Sequence, residues 1–324
     1  MSESSAEAAM SGGVRLELEA PAKLNLSLSV VGERSDGYHY LDGQWILLQL
    51  ADRLVLSSGG PELKVHGPAA TGVPTEPGAN LAWRGLLAAA NTDVAAGGRL
   101  TLEKQVPAAA GLGGGSSDAA AAWRLGRAWD GRPDLPATPA ELNALASLGA
   151  DVPFFAAQLP VARVSGIGER VVAMEAPNPP LEVILVHPGF QLPTAAVFAE
   201  LRPTDWQSAR QPAGKAAWKP AAVSAQGHSG RDGAAMPARN QLLAAALRLR
   251  PELAELLRLM AAAGGDPQLT GSGPTIYCFE EDVERADRLA LHLRQRLKRA
   301  DARVTRTRTR LRAASIRAVQ EDQS

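Results

Sequence analysis

A glycine-rich segment in the middle of the chain has the residue types that phosphate binding requires. Residues 107–122 read PAAAGLGGGSSDAAAA, and the glycines are Gly111, Gly113, Gly114 and Gly115. Because glycine tolerates positive φ, such a loop can point consecutive backbone N–H groups at an anion. The alanine-rich continuation predicts a helix, whose N-terminus would add unpaired N–H groups and a favourable dipole. The segment therefore predicts a cradle for a triphosphate.

The residues after the glycines indicate where that helix starts, and they separate the loop from other nucleotide-binding motifs. Ser116, Ser117 and Asp118 are typical helix-capping residues, and residues 118–128 have a strongly helix-forming composition. No lysine follows the last glycine, so the segment is not a Walker A loop. Asp130 comes too early to be the ribose-binding acid of a dinucleotide fingerprint. A glycine linker before an ordinary capped helix is the plain alternative.

Two charged residues outside this segment could take part in proton transfer or charge neutralisation. Lys23 follows Pro21 at the start of a strand-like stretch, and Asp151 stands among apolar residues in GADVPFF. Taken alone, Lys23 is most simply a surface residue of a strand. Asp151 is most simply the cap of a short helix with Pro153 in its first turn. Both alternatives are open at this point.

The first half of the chain predicts strands and a loop that lead to the glycine-rich segment. The predicted strands cover 14–19 and 24–31, which Pro21 separates, and then 45–56, 61–66 and 99–106. The glycine-punctuated stretch 32–43 predicts a loop. Residues 80–90 predict a helix whose apolar face consists of Leu81, Leu86 and Leu87.

The second half predicts a mixed region of helices and strands. Thr138 and Glu141 form a capping-box pattern that starts a helix over 138–148. The following elements are a hairpin over 161–172, a central strand over 181–187, a helix over 193–198, a helical stretch over 241–263 that Pro251 breaks, a loop and strand over 268–279, a helix over 282–299 and an edge strand over 302–316. Residues 202–239 have Trp206 and Trp218 as their only bulky anchors, which predicts a surface excursion.

Composition narrows the class of protein. With 34 basic and 34 acidic residues the formal charge is zero, so nothing indicates a nucleic-acid partner. No stretch approaches the ~18 consecutive apolar residues of a membrane span, and the first residues lack a signal-peptide pattern. Cys278 is the single cysteine and the histidines are scattered, which predicts a cytoplasmic protein without a disulfide or a histidine-based zinc site. The oligomeric state is left open.

Five stretches, in this order, resemble the GHMP superfamily of small-molecule kinases. They read PAKLNLSLSVVGERSDGYHYL, PAAAGLGGGSSDAAAA, GADVPFF, HPGFQLPT and LTGSGPTIYCF, and the resemblance covers residues 21–311. The glycine-rich stretch is specific to the superfamily. DGYH combined with GADVP is specific to the kinases of 4-diphosphocytidyl-2-C-methyl-D-erythritol, a cytidine diphosphate ester. The resemblance implies ATP-dependent phosphorylation of the 2-hydroxyl of that ester, in the non-mevalonate route to isoprenoid precursors.

The same resemblance implies roles on the ATP side. The glycine loop would bind the phosphates through backbone N–H groups, and Lys104 would lie near the ATP base. Either Ser116 or Ser117 would meet Mg²⁺ through its hydroxyl. The implied ATP-binding residues are Lys104, Pro107, Gly111, Leu112, Gly113, Gly114, Gly115, Ser116 and Ser117.

A catalytic pair is also implied. Asp151 falls where the family has its catalytic base, and Lys23 where it has the partner lysine. An aspartate within reach of the substrate hydroxyl can orient it and accept its proton, and the lysine offsets developing negative charge. The resemblance therefore favours a catalytic role for both residues over the alternatives of a surface lysine and a helix cap.

The remaining implied contacts are with the cytidine substrate. Asn25 would hold the erythritol end, and His39 would hydrogen-bond the cytosine. Tyr38 and Phe198 would stack on the two faces of the base. The other implied lining residues are Thr194, Gly271, Ser272 and Gly273. The plain alternatives are core packing for Phe198 and a turn cap for Ser272.

The implied fold is α+β with two domains and the site in the cleft between them. Residues 1–159 would form an N-terminal ATP-binding domain with the glycine-rich loop and the catalytic aspartate. Residues 160–324 would form a ferredoxin-like C-terminal domain that ends in a loose tail over 313–324. Gln241 departs from the usual Asn-Asp-Leu pattern and is assigned no role. The alternatives are a homoserine or mevalonate kinase of the same superfamily and a non-catalytic nucleotide-binding protein of the same fold.

Overall fold

The structure is a computed structural model that describes residues 15–35, 37, 39–89, 97–206, 240–297 and 301–319. Its strands are β1 (Arg15–Glu33), β2 (His39–Ser58), β3 (Glu62–His66), β4 (Gly98–Glu103), β5 (Val161–Gly166), β6 (Arg170–Ala173), β7 (Glu182–His187), β8 (Gln268–Leu269), β9 (Ile276–Glu280), β10 (Arg303–Arg308) and β11 (Arg317–Ala318). Its helices are α1 (Leu81–Ala89), α2 (Gly114–Trp129), α3 (Pro139–Leu145), α4 (Val152–Ala156), α5 (Thr194–Ala199), α6 (Pro203–Trp206), α7 (Leu243–Leu249), α8 (Glu252–Ala262) and α9 (Val283–Arg296). Trp218 and most of the expected excursion lie outside the described residues.

The first sheet is built on the long antiparallel pair of β1 and β2. The order across it is β11-β1-β2-β4-β3, and β5 pairs with β2 and carries β6 on its other side. β4 pairs with the second half of β2 and β5 with the first half, so β2 holds the sheet together. Helices α1 and α2 pack against the sheet around Leu18, Leu54 and Leu125.

β1 shows the alternation that the sequence predicts, but as one strand rather than two. Every second residue from Leu16 to Val30 is buried. Pro21 does not end the strand, because the chain passes it with a register shift between Pro21 and Lys23 and continues to pair with β2. The expected loop over 32–43 is also shorter, since β1 extends to Glu33 and β2 begins at His39. Long-range pairing between the two strands thus overrides the local breaking signals.

The N-terminal ends of two helices follow their local sequence signals. Thr138 and Glu141 form the predicted capping box at α3. In α1, Asn80 Oδ1 accepts hydrogen bonds from the backbone N–H groups of Ala82 and Trp83, at 2.9 and 3.3 Å. The predicted apolar face of α1 is wrong at Leu87, which is exposed, because Ala82 and Trp83 take up the packed side with Leu86.

The second sheet confirms the ferredoxin-like prediction. Its order is β10-β7-β9-β8, and every pairing in it is antiparallel. Helices stand between β7 and β8 and between β9 and β10, which gives the order strand, helix, strand, strand, helix, strand. β7 is central and β10 lies on the edge, as the sequence predicts. Helices α7, α8 and α9 cover the sheet around Met260, Ile184 and Leu289.

The strands are not divided between the sheets at residue 159. β5 and β6 belong to the first sheet, so the change of sheet comes between β6 and β7. The predicted loose tail is wrong over its described part, because β11 pairs with β1. Ala314 and Ile316 pack against the core of the first sheet, and Arg124 donates a hydrogen bond to the carbonyl of Ala314 at 2.7 Å. The two sheets also share a buried core that includes Leu24 and Tyr277.

Lys104 lies in a buried cluster of charges beneath the start of α2. Its Nζ donates hydrogen bonds to Asp118 Oδ2, at 2.6 Å, and to Asp52 Oδ2. Asp52 Oδ1 in turn accepts from the backbone N–H groups of Gln105 and Val106, at 2.5 and 2.8 Å. Burial lowers the pKa of Lys104, but Asp118 and Asp52 outweigh it and the net pKa is raised. Lys104 is expected near the ATP base, but its side chain is 2% exposed, does not line the cavity described below and ties β2 to α2.

The cluster holds two carboxyl groups but only one ammonium, which favours the protonated form of one of the two carboxyl groups. Burial above all raises the pKa of Asp118, Lys104 opposes this rise and nearby Asp52 adds to it, and the net pKa is about 8. Asp52 has more hydrogen-bond donors around it than Asp118, whose Oδ1 has no partner among the described residues. Of the two carboxyl groups, Asp118 is therefore the one whose protonated form is favoured.

We expect Asp118→Asn and Asp52→Asn to differ in stability, although each removes one carboxylate from this cluster. Asp118→Asn keeps a neutral group in place and removes the cost of holding this carboxyl group protonated at pH 7, so the free energy of unfolding at pH 7 should rise or stay unchanged. Asp52→Asn removes the carboxylate that Lys104 and two backbone N–H groups contact, and should cost about 3–5 kcal/mol. Urea unfolding of both variants measures the difference, and equal losses would contradict the placement of the proton.

The same variants give a pH test. Because the pKa of Asp118 is raised in the folded protein, its contribution to stability is present at low pH and is lost as the pH rises through about 8. The wild-type protein should therefore lose stability between about pH 5 and pH 8, and Asp118→Asn should lose less over that range.

Candidate active site

A cavity of about 990 Å³ is lined by residues from elements of both sheets. This volume lies at the upper end of the range for small-molecule sites. The glycine-rich segment forms part of its wall, and His39, Phe198 and Trp206 form another part. Lys23 and Asp151 also line it.

The start of α2 supplies free backbone N–H groups to this cavity. Gly113 is the N-cap residue, with a φ of 71°, and the helix begins at Gly114. The first intrahelical bond runs from the N–H of Ser117 to the carbonyl of Gly113, so the N–H groups of Gly114, Gly115 and Ser116 have no acceptor within the helix. A Cβ at Gly113 would stand 2.9 Å from the Phe155 ring and 3.0 Å from Lys23 Cγ, which explains the glycine.

The two serines of the segment face different surroundings. The sequence predicts that this helix begins at Asp118, but α2 begins four residues earlier, at Gly114. Ser116, Ser117 and Asp118 therefore lie inside α2 and do not cap it. Ser116 lines the cavity. Ser117 is 1% exposed, and it faces a void of about 10 Å³ beside Arg124 instead. Of the two hydroxyls, only that of Ser116 is placed to meet a ligand in the cavity.

Lys23 lies at the centre of the site. Its side chain is 3% exposed, and its Nζ stands 2.6 Å from Asn25 Oδ1, 3.0 Å from the carbonyl oxygen of Gly111 and 3.4 Å from Asp151 Oδ2. The ammonium also lies 5.0 Å from the centre of the Trp45 ring. The surface-lysine alternative is therefore wrong, and the bulge after Pro21 directs this side chain towards the glycine loop.

Asp151 precedes α4 but does not cap it. It occupies the N-cap position, yet its side chain accepts no hydrogen bond from the helix. The carboxylate is 29% exposed and pairs with Lys23 on the wall of the cavity. The helix-cap alternative is therefore wrong, and the carboxylate is available to a ligand.

A loop from the second sheet meets the glycine loop at this point. Thr270 Oγ1 donates to the carbonyl oxygen of Gly111 and to Asn25 Oδ1, both at 3.2 Å. A Cβ at Gly111, where φ is 75°, would overlap the carbonyl oxygen of Thr270. Asn240 holds the other side of this loop by donating to the carbonyl oxygens of Leu269 and Gly271, at 2.8 and 2.7 Å. The two loops therefore form one rigid joint.

Two features of the cavity wall place polar groups where a ligand could contact them. Thr194 Oγ1 and Ser272 Oγ are 2.9 Å apart, which joins the start of α5 to the Gly-Ser-Gly loop. Asn25 is 2% exposed, and its Nδ2 has no hydrogen-bond partner among the described residues. A buried amide without a partner is costly, so Asn25 is suited to donate to a ligand oxygen.

Aromatic rings form another part of the wall. The His39 and Phe198 rings are 5.5 Å apart and tilted by 32°. The Trp206 ring stands edge-on to His39, 6.3 Å away at 87°. The space between His39 and Phe198 is too narrow for a third ring, so a bound base would lie beside this group and not within it. Tyr38 lies outside the described residues.

The chain is similar to one kinase family along most of its length. Residues 80–158 match the GHMP kinases N terminal domain. A 4-diphosphocytidyl-2-C-methyl-D-erythritol kinase from Dinoroseobacter shibae is 40% identical over 284 residues, which are 84% of this chain and 88% of that protein. A protein of the same name from Paracoccus denitrificans is 40% identical over 80% of this chain and 84% of its own length. The chain belongs to the 4-diphosphocytidyl-2-C-methyl-D-erythritol kinase family.

Solved structures agree with membership of this family. A crystal structure of 4-(cytidine 5'-diphospho)-2C-methyl-D-erythritol kinase superposes with a TM-score of 0.64 and 32% identity, over 90% of this chain and 98% of the other. A homoserine kinase from Cytophaga hutchinsonii has a TM-score of 0.58 at 14% identity over 96% and 98% of the two chains, which shows the shared fold alone. The predicted GHMP kinase fold is confirmed. As a member of the family, the chain is an ATP-dependent kinase of small molecules.

The structure brings together most of the residues that the resemblance implies for this family. The lining residues among them are Lys23, Asn25, His39, Pro107, Gly111, Gly113, Gly114, Gly115, Ser116, Asp151, Thr194, Phe198, Gly271 and Ser272. Lys104, Leu112, Ser117 and Gly273 do not line the cavity. Leu112 supports it from behind, since its carbonyl oxygen accepts a hydrogen bond from the N–H of Lys23 at 2.9 Å.

Three residues of the site region carry no role in the sequence-based set. Thr270 joins the two loops, and its only signal is that it precedes the Gly-Ser-Gly triplet. Gln241 Oε1 accepts from the N–H of Val30 at 2.6 Å, which fixes the end of β1 to the start of α7. Trp206 had a signal, because it is a large apolar residue in a stretch of small ones.

The turn between β5 and β6 packs behind Asp151. Gly168 has a φ of 121°, and a Cβ there would overlap the carbonyl oxygen of Ala150, the residue before Asp151. Ile167 lines the cavity beside Ala150 and Asp151. Because the side chain of Asp151 makes no capping bond, its position depends on its ion pair with Lys23 and on the packing of its backbone against this turn.

We expect Gly168→Ala to lower kcat by about tenfold or more, because a small displacement of a reacting group is costly. The KM for ATP should not change. Gly60→Ala is the matched control, since Gly60 also has a positive φ, of 91°, but a Cβ there meets no atom within 4 Å. Steady-state kinetics, measured below the unfolding temperature of both variants, tests this role of Gly168. An equal fractional loss of kcat in the two variants would contradict it.

Proposed function

We propose that this kinase phosphorylates the 2-hydroxyl of 4-diphosphocytidyl-2-C-methyl-D-erythritol in the synthesis of isoprenoid precursors. The observation that carries the proposal is the Lys23–Asp151 pair in a cavity whose wall also holds a phosphate cradle and an aromatic group. The family relatives carry that substrate in their names. The cytoplasmic location predicted from the sequence stays a prediction; within the described residues, no helix has the length and apolar character needed to cross a bilayer.

The glycine-rich segment binds the phosphates of ATP in this proposal. The free N–H groups of Gly114, Gly115 and Ser116 point into the cavity from a helix N-terminus, where the dipole favours negative charge. Phosphoryl transfer needs positioning and charge neutralisation above all, because its transition state carries charge on the phosphoryl oxygens. Backbone donors held by the joint with Thr270 provide such positioning without further rearrangement.

Asp151 accepts the proton of the substrate hydroxyl. It is the partly exposed member of the pair, so a hydroxyl can approach its carboxylate. Lys23 stays buried and holds Asp151 Oδ2 in place while its charge stabilises the phosphoryl oxygens. Asn25 lies 2.6 Å from the same ammonium, and its free Nδ2 donates to an oxygen of the erythritol chain.

The site fits a magnesium ion held mainly by phosphates. No group of three or more His, Cys, Asp or Glu side chains suited to a metal occurs among the residues that the structure describes. Mg²⁺ in kinases commonly uses one or two protein oxygens beside the phosphates and waters. The Ser116 hydroxyl is the proposed protein ligand, and the ion would supply charge neutralisation on the phosphate oxygens.

The aromatic part of the wall favours a cytidine substrate over other alcohols. Homoserine and mevalonate kinases share the fold at low identity, but their small acceptors have no flat ring to contact His39, Phe198 and Trp206. ADP release in a coupled assay, with the cytidine diphosphate ester compared with homoserine and mevalonate, tests the proposal. A preference for either small alcohol would overturn it, and so would the absence of ADP release with all three.

We expect Asp151→Asn to lower kcat by about 10²–10⁴-fold, because general-base assistance is lost while size is kept. The dissociation constant for ATP should change little, since the N–H groups of α2 do not depend on Asp151. Single-turnover kinetics together with ATP titration measure the two effects separately. Turnover near that of the wild type would contradict the role of base.

The two serines form a matched pair for the proposed metal contact. Ser116→Ala should raise the Mg²⁺ concentration needed for half-maximal activity, because it removes the hydroxyl on the cavity wall. Ser117→Ala should leave that concentration unchanged, because Ser117 is buried on the other side of α2. Activity measured over a magnesium titration gives the comparison, and equal shifts in both variants would count against Ser116 as the ligand.

A further inference from the structure

Trp206 contacts the cavity without any part in phosphoryl transfer. It ends the four-residue helix α6, packs against the core of the second sheet and lines the cavity. Its ring stands at 87° to the ring of His39, with 6.3 Å between centres. This edge-to-face arrangement is favourable for aromatic pairs. His39 is thereby held between Trp206 and Phe198, which contact it in different orientations.

A helix as short as α6 has no stability of its own, so other contacts must hold Trp206 in place. Arg248 of α7 provides them. Its Nη2 donates to Asp205 Oδ2 at 2.6 Å and to the carbonyl oxygen of Glu200 at 2.7 Å, and its Nε donates to Glu200 Oε1 at 2.6 Å. Asp205 also accepts from the backbone N–H of Arg202 at 2.8 Å.

The charges in this network support the same picture. The hydrogen bond from Arg248 holds the pKa of Asp205 below its usual range, and Asp205 is only 9% exposed. Pairs of this kind, with several hydrogen bonds and low exposure, restrict conformation more than ordinary surface pairs do. Arg248 thus connects α7 to the residue directly before Trp206.

We propose that Trp206 determines specificity for the pyrimidine base by fixing the orientation of the His39 ring, and that Arg248 is a positioning residue that acts through Trp206. This inference rests on the proposed function, since it assigns the aromatic group to a cytosine. A histidine edge can tell cytosine from uracil only when its ring cannot rotate, because the two bases differ in one exocyclic donor or acceptor. Trp206 and Phe198 together prevent that rotation.

Binding of CDP and UDP, measured by calorimetry on the full-length protein, tests the inference. The wild-type protein should bind CDP more tightly than UDP. Trp206→Ala should weaken CDP by about tenfold with little change for UDP, so that the preference is lost. Trp206→Phe should restore part of it, because a ring remains against His39. ATP affinity should be unchanged in both variants.

Arg248→Met gives the second arm, with Arg258→Met as its control. Arg258 is an exposed arginine of α8 whose guanidinium bonds to Ala254 of its own helix. Arg248→Met should reduce the CDP preference and Arg258→Met should not. Unchanged CDP preference in Trp206→Ala would overturn the inference, as would an equal loss for CDP, UDP and ATP. If the wild-type protein binds neither CDP nor UDP, the proposed function fails together with the inference.

Discussion

The active site depends on the pairing of the buried Lys23 ammonium with its hydrogen-bond and ion-pair partners. An ammonium that is almost entirely removed from water is tolerated only when it is paired and hydrogen-bonded. Its partners come from β1 itself, from the carbonyl oxygen of Gly111 and from Asp151 before α4. Three distant parts of the chain must therefore come together before this charge is paired, and when they do the proposed catalytic pair is already formed.

Close contact between two loops extends that arrangement to the second sheet. Thr270 bonds to Asn25 and to Gly111, and the backbone of each loop comes so near the other that a side chain at Gly111 would not fit. The glycine-rich segment is thus held by a loop of the second sheet. Because the joint contains the partners of Lys23, a change in either loop would reach the reacting groups through one or two hydrogen bonds.

Buried and half-buried charges elsewhere position parts of the site and do not react. Lys104 joins Asp52 of β2 to Asp118 of α2 under the phosphate cradle. Arg248 joins Asp205 and Glu200 beside the aromatic group. Neither network lines the cavity, whose charged lining residues are Lys23, Glu33 and Asp151, which agrees with a reaction that depends on orientation and on a few well-placed charges.

Local pattern was enough to predict many elements of this protein. The alternation of β1, the capping box of Thr138 and Glu141, the central strand β7 and the helix after the glycines, though not its first residue, depend on neighbours a few residues apart, so the sequence determined them. The resemblance to GHMP kinases also implied most of the residues that line the cavity, since the motifs themselves contain them.

Only the tertiary structure decided how those elements meet. The sequence predicts two strands separated by Pro21, but the structure has the single strand β1, because pairing with β2 outweighs the local break. The tertiary structure buried Lys104 away from the cavity, and it separated Ser116 from Ser117, because two residues adjacent on a helix point about 100° apart. It also brought Trp206 against His39 through Arg248, a contact between residues far apart in sequence. No local spacing contains such information, because these contacts depend on which surfaces are left to pack after the sheets have formed.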